Sequence, residues 1–322
     1  MAVKRIEELD FLKCVLILSV VTMHLVYIEQ RFPYMKEVIG MYQASCFFLI
    51  SGYFASIRKP PTAFGRSMLW LFVPYVVMET AYIFASYVLP VREGASSVAP
   101  MAVLRYLFAA PVGPYWYLHT LLLCTISYYI VWRLPAAPFT RLLALGFCFY
   151  GLSEGCGLML FANTLYFLAG VAIRESRLPF TFFFPASWWA VVPFVVLCSF
   201  PENLWRGTLA GAAISGLLFC FLLAVYRRLP HAVARMANYI GRHTLVILLF
   251  SPLFTFAVKP MGGWFSFDPT GLLFWLLALA VNVAGCFFVS WCLDALHLSR
   301  WLFGKKRVME PFSKDADGVV VR

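Results

Sequence analysis

The sequence predicts an all-α, polytopic transmembrane bundle of about ten helices with both termini on the cytoplasmic side. Three observations carry that expectation: an excess of apolar residues, apolar runs of near-bilayer length, and a one-sided distribution of positive charge. Hydrophobic residues make up 62% of the 322 and charged residues only 13%, against roughly 45–50% and 25% in soluble domains. Mean hydropathy is +0.81. A water-soluble fold of this size has too little interior to hide so much apolar surface. The formal charge of +11 does not indicate nucleic acid, because the basic residues sit in short clusters between apolar runs and not on one face.

A bilayer core takes about 20 apolar residues per helix. The runs of that kind cover 11–28, 38–57, 68–89, 114–132 and 142–152, then 158–173, 187–200, 208–226, 240–258 and 271–293. The first is preceded by Glu7, Glu8 and Asp10 and followed by no small-residue cleavage site, so it reads as a retained span and not as a signal peptide. The fifth to seventh are short, which leaves the count open by one in either direction. Pro- and charge-bearing connectors such as Arg58-Lys59-Pro60-Pro61 and Arg227-Arg228-Leu229-Pro230 separate the runs and read as turns.

Orientation follows from the Lys and Arg count. Nineteen of the 26 fall on alternate connectors and the two ends, six fall on the other side, and Lys13 lies within a run. The positive-inside rule then places both ends in the cytoplasm. Residues 1–304 read as one transmembrane domain and 305–322 as a polar, disordered cytoplasmic tail. Nine cysteines lie in or beside apolar runs, odd in number and without a CxxC pair, and read as small buried residues. No metal-binding, nucleotide-binding or hydrolase motif is present.

Ionisable residues within a bilayer face the bundle interior and are candidates for function. Asp10, Lys13 and His24 lie on the first run, Glu79 on the third, His119 on the fourth, His243 early in the ninth and Asp294 at the end of the tenth. Eleven residues at 100° each bring Lys13 and His24 to one helical face, with His24 about 16 Å further along. Asp10 stands three residues before Lys13, in reach of an ion pair. Lys13 could equally snorkel to the inner interface. The short side chain of His24 has no such route, and the apolar residues around it predict a desolvated imidazole. Glu79 could be a paired structural carboxyl or a proton carrier, and His119 could line the same groove. Trp116 and Tyr117 fit interfacial anchors, and Ser51-Gly52 is a small pair that permits close helix contact.

The order of these features resembles the acyltransferase 3 family of multi-span membrane enzymes. The opening motif matches Arg5, Asp10, Lys13 and His24, and a Phe-Phe-x-x-Ser-Gly-aromatic signature matches Phe47, Phe48, Ser51, Gly52 and Tyr53. Phe64, Arg66, Leu71, Pro74 and Tyr75 resemble the basic run before Pro-Tyr. Trp116-Tyr117-Leu118, Phe167-Leu168 with Gly170, and Gly241 with Thr244-Leu245 resemble three later motifs. Lys13 stands where many members have Arg, which keeps the charge but loses the planar fork. Trp70 replaces a second Arg, and Ser251 falls where a His often precedes Pro.

The resemblance implies transfer of an acyl group, commonly acetyl, from cytoplasmic acetyl-CoA to a hydroxyl of a sugar or cell-surface glycan, in a multi-pass protein of the bacterial inner membrane. The chain would hold no resident cofactor. His24, with Asp10 and Lys13, would be catalytic, His24 as general base or covalent acyl carrier. Lys13, Arg66 and Ser51 would hold the donor, and Glu79, Trp116 and His119 would line the groove. The rival expectation is a proton-coupled transporter or lipid-linked sugar flippase, in which Lys13, His24, Glu79 and His119 form a path. No inverted repeat supports it.

Overall fold

The computed structural model describes residues 6–310 except Pro90, Arg92 and Glu93. Lys4, Arg5, Lys314 and Arg322 lie outside the described residues, as does most of the expected tail. Helices account for all the regular structure among the described residues. They are α1 (Glu7–Met23), α2 (Val26–Arg31), α3 (Pro33–Phe54), α4 (Pro61–Val88), α5 (Pro100–Phe108), α6 (Trp116–Val131), α7 (Pro138–Tyr150) and α8 (Phe161–Glu175). There follow α9 (Phe180–Phe183), α10 (Val191–Cys198), α11 (Leu209–Tyr226), α12 (His231–Arg242), α13 (Thr244–Val258), α14 (Leu272–Ala295) and α15 (Ser299–Phe303).

Among the described residues, four helical segments are long and apolar enough to cross a membrane: Pro61–Val88, Leu209–Tyr226, Thr244–Phe265 and Leu272–Ala295. Around them lies an outer surface of large apolar side chains, with Leu209 91%, Trp189 82% and Phe147 74% exposed. Water would not tolerate so broad an apolar exterior, whereas hydrocarbon does. This is a membrane protein.

Helix starts follow local chemistry. Proline opens α3, α4, α5 and α7, where its missing N–H has no intrahelical partner to lose. Two of the expected runs are broken in space. The first stops at Met23 and resumes as α2, and the ninth divides into α12 and α13 at His243. The apolar pattern runs through both breaks, so periodicity alone did not mark them. The tightly wound core of the fold is the pairing of α3 with α8. A Cβ added at Gly52 would fall inside the radius of the Phe167 carbonyl oxygen, and one at Gly170 inside that of Leu49. The glycines of two separate motifs are thus reciprocal, each allowing the other's backbone to approach.

Hydrogen bonds collect the basic connectors at one end of the bundle. Tyr226 donates to Glu7 at 3.1 Å, Tyr129 to the Lys59 carbonyl at 3.2 Å, Tyr128 to Glu175 at 2.8 Å, and Arg174 to the Tyr53 carbonyl at 3.0 Å. The start of the expected tail belongs to this end. The Val308 and Met309 N–H groups each donate to the Asp294 carboxylate at 2.9 Å, and Tyr239 donates to the Glu310 carbonyl at 2.9 Å. At the opposite end Arg31 donates to the Pro269 carbonyl at 2.7 Å, which joins the α2 region to the approach to α14.

Candidate active site

The acidic first turn of α1 suits the positive end of its dipole, and the third of those acids is buried. Asp10 Oδ1 lies 2.6 Å from Lys13 Nζ, the i, i+3 pair expected from spacing. The ammonium also stands 5.8 Å from the centroid of the Phe54 ring, a cation–π distance. The backbone of Asp10 is pressed against α12, where a Cβ on Gly241 would overlap the Asp10 carbonyl oxygen. The opening motif and the late Gly241 motif therefore meet directly. Beyond that contact, His243 Nδ1 donates to the Tyr239 carbonyl at 2.8 Å, which leaves Nε2 to accept from the Glu310 N–H at 3.4 Å.

His24 departs from expectation. The sequence predicts it within a continuous span, desolvated by apolar neighbours; instead it caps the end of α1 and its side chain is exposed. The cause is local competition for carbonyls. Ser19 donates to the Val15 carbonyl at 2.9 Å, Thr22 to Leu18 at 2.8 Å, and His24 Nδ1 to Val20 at 2.7 Å, and such back-bonds weaken and bend a helix. The His24 backbone is still in the right-handed region, at φ −95° and ψ −1°. The shared face with Lys13 thus persists to the last residue. A carbonyl oxygen can only accept, so Nδ1 carries the proton and a neutral ring has its lone pair on Nε2.

The other candidates divide into two groups. Ser51 on α3 shares a 2.8 Å hydrogen bond with the Tyr117 hydroxyl on α6, and the Tyr117 ring packs 4.7 Å from Phe48. Trp116 lies 6.2 Å from Phe48 and 5.9 Å beneath the guanidinium carbon of Arg206. Glu79 and His119 are buried but belong to a different corner. Glu79 Oε1 accepts the Val112 N–H at 2.7 Å, and His119 Nε2 donates to the Phe108 carbonyl at 3.1 Å. Arg66 is exposed in the first turns of α4, a helix packed mainly on α5, α6, α13 and α15, while α1 packs mainly on α3, α11, α12, α13 and α14.

Two clefts of about 720 and 460 Å³ open elsewhere, the first beside Trp291 and Arg307, the second between α1 and α14 beside Thr22 and Trp275. Asp294 lines the first, and none of the other candidate residues lines either of them.

Arg206 is the residue that sequence reasoning passed over. It is one of the six cations on the less basic side of the chain, yet its side chain is half-buried. Its Nη1 donates to Asn163 Oδ1 at 3.2 Å and its Nε to the Gly40 carbonyl at 3.1 Å. Its place beside Trp116 ties the third connector from the end of the bundle to the aromatic motif.

No curated protein and no solved structure matches the chain. A family model described as an acyltransferase domain matches residues 6–291, a span that takes in the Asp10–Lys13 pair, His24, the Ser51–Tyr117 contact and Gly241. The chain belongs to that acyltransferase family and is a membrane acyltransferase.

Proposed function

We propose that the protein moves an acyl group, acetyl in the simplest case, from acetyl-CoA to a hydroxyl of a sugar or cell-surface glycan. The observation that carries this reading is the single face of α1 that presents the Asp10-fixed Lys13 at one end and the Nδ1-donating His24 at the other. Lys13, aided by Arg66 at the same basic end and by Ser51, holds the anionic donor. The donor's extended pantetheine arm then runs along α1 and delivers its thioester toward His24.

At His24 the lone pair of Nε2 takes the proton of the sugar hydroxyl as its oxygen attacks the thioester carbonyl. The C–S bond breaks, the thiolate leaves, and the proton passes to it, giving ester and free thiol. In the covalent variant Nε2 itself attacks the carbonyl, expels the thiolate, and later gives the acyl group to the sugar. Both routes need the same tautomer. Trp116 supplies an apolar face for the acceptor.

The placement in the membrane follows the same reading. About ten spans with both ends in the cytoplasm of a bacterial inner membrane are supported by the convergence of the basic connectors on one end of the bundle. Donor and acceptor are then met from opposite sides.

The test is transfer in proteoliposomes from radiolabelled acetyl-CoA to sugar-containing acceptor extracts. Label in ester linkage to a sugar, with stoichiometric release of CoA, supports the proposal. Sugar accumulating inside the vesicles with the thioester intact would replace it with the transporter.

A further inference from the structure

Three buried side chains hold the backbone of one short linker. The linker runs from the end of α5 to α6, and each side chain takes a different group of it. The Tyr75 hydroxyl donates to the Leu107 carbonyl at 2.8 Å, His119 Nε2 donates to the Phe108 carbonyl at 3.1 Å, and Glu79 Oε1 accepts the Val112 N–H at 2.7 Å. Tyr75 and Glu79 are one turn apart on α4, and the Tyr75 and His119 rings are 6.0 Å apart. Tyr75 and Glu79 are 0% exposed and His119 6%. Unpaired backbone groups at that depth are costly, so the three contacts fix the path of the linker.

What the linker delivers is the start of α6. Trp116 and Tyr117 follow within five residues of Val112, and Tyr117 closes on Ser51 while Trp116 sits between Phe48 and Arg206. We infer that Glu79, His119 and Tyr75 are positioning residues of the acyl-transfer site, which act through the linker to set Tyr117 against Ser51 and Trp116 against Arg206. This rests on the proposed placement of Ser51 and Trp116 in the site. It also assigns Glu79 a specific duty. Among the described residues no cation pairs with it, and its Oε1 serves as an acceptor for an amide, a duty that a glutamine oxygen performs equally well. His119 is likewise used as a donor to a carbonyl. Neither contact requires the side chain to gain or lose a proton.

The opposing possibility is that Glu79 and His119 carry protons, as in the transporter. The fact that favours it is that Glu79 Oε2 and His119 Nδ1 are buried without a hydrogen-bond partner among the described residues. Glu79→Gln separates the two. It keeps the acceptor and removes the titrating group.

The experiment measures two things in Glu79→Gln, Glu79→Ala and Tyr75→Phe, each in full-length protein in membranes. One is kcat and KM for acyl transfer. The other, independent of any activity, is the rate at which a Ser51→Cys thiol is alkylated, read by mass spectrometry of its own peptide so that the native cysteines do not interfere. Glu79→Gln is expected to leave kcat within about twofold and the alkylation rate unchanged. Glu79→Ala should lower kcat at least tenfold and raise alkylation several-fold as Tyr117 leaves Ser51, and the conservative Tyr75→Phe should move both in the same direction by less. Should Glu79→Ala fail to fold, Tyr75→Phe carries the test alone. The inference is overturned if Glu79→Gln abolishes turnover while alkylation stays at the wild-type rate, or if neither Glu79→Ala nor Tyr75→Phe changes alkylation. A protein without acyl-transfer activity that still shows the alkylation pattern would sink the enzymatic reading and leave the clamp standing.

Discussion

The two ends of α1 are built on opposite principles. At Asp10 the helix is fixed from three sides, by the Lys13 ion pair, by the backbone of Gly241, and by the Phe54 ring beneath the ammonium. At His24 it ends in a turn, after Ser19, Thr22 and His24 have each bonded back to a carbonyl of its second half, and the imidazole is exposed. Rigidity is concentrated at the Asp10 end. A group that holds a charged donor gains from preorganisation, whereas a group that must meet a second substrate has to be reachable.

Substitutions at the two ends should therefore fail differently. His24→Ala is expected to lower acyl transfer by at least about two orders of magnitude, the usual scale for losing a general base. The thermal midpoint should stay within a degree or two because the side chain is exposed, and a fall in stability matching the fall in turnover would erase the contrast. Gly241→Ala is the converse. Its Cβ meets a backbone carbonyl that cannot swing aside, so a loss of about 3 kcal/mol or more is expected in detergent unfolding.

How far these features were legible in the sequence depends on what set each of them. The face shared by Lys13 and His24 was legible because it needs only the helical period, and the Asp10–Lys13 pair because it needs only spacing. The end of α1 was not, since no glycine or proline marks it and three back-bonds with tertiary packing decide it. Gly52, Gly170 and Gly241 stood out as motif residues, but a glycine does not name its partner, and the reciprocal seam between α3 and α8 is visible only in space. Arg206 reads in the sequence only as one more charge between apolar runs, because the partners that half-bury it, Gly40 and Asn163 among them, come from segments far away in sequence.

Smaller effects sharpen the same comparison. Asp10→Asn leaves Lys13 without its anion, but Lys13 is 22% exposed, so the cost should fall short of the ~3–5 kcal/mol of a fully buried pair and come to about 1–2 kcal/mol. Its larger signature should be a raised KM for the donor with kcat less affected. The smallest effect is expected at Asp268, on the approach to α14 and not among the proposed site residues. The Thr270 hydroxyl and the Leu273 N–H hold its carboxyl below the usual aspartate range. A depressed carboxyl contributes stability above the unfolded-state pKa of about 3.9 and loses it as pH falls through the lower folded value. Asp268→Asn should flatten the acid limb of the unfolding midpoint against pH and change nothing at pH 7 in turnover; an unchanged acid limb would show that these hydrogen bonds carry no stability.

The most direct measurement is acetyl-CoA binding by calorimetry alongside turnover, in His24→Ala and Lys13→Ala at matched folded concentration. His24→Ala should bind the donor as the wild type does and turn over none of it, while Lys13→Ala should lose donor affinity. Donor affinity lost in His24→Ala and retained in Lys13→Ala would contradict the division of labour along α1.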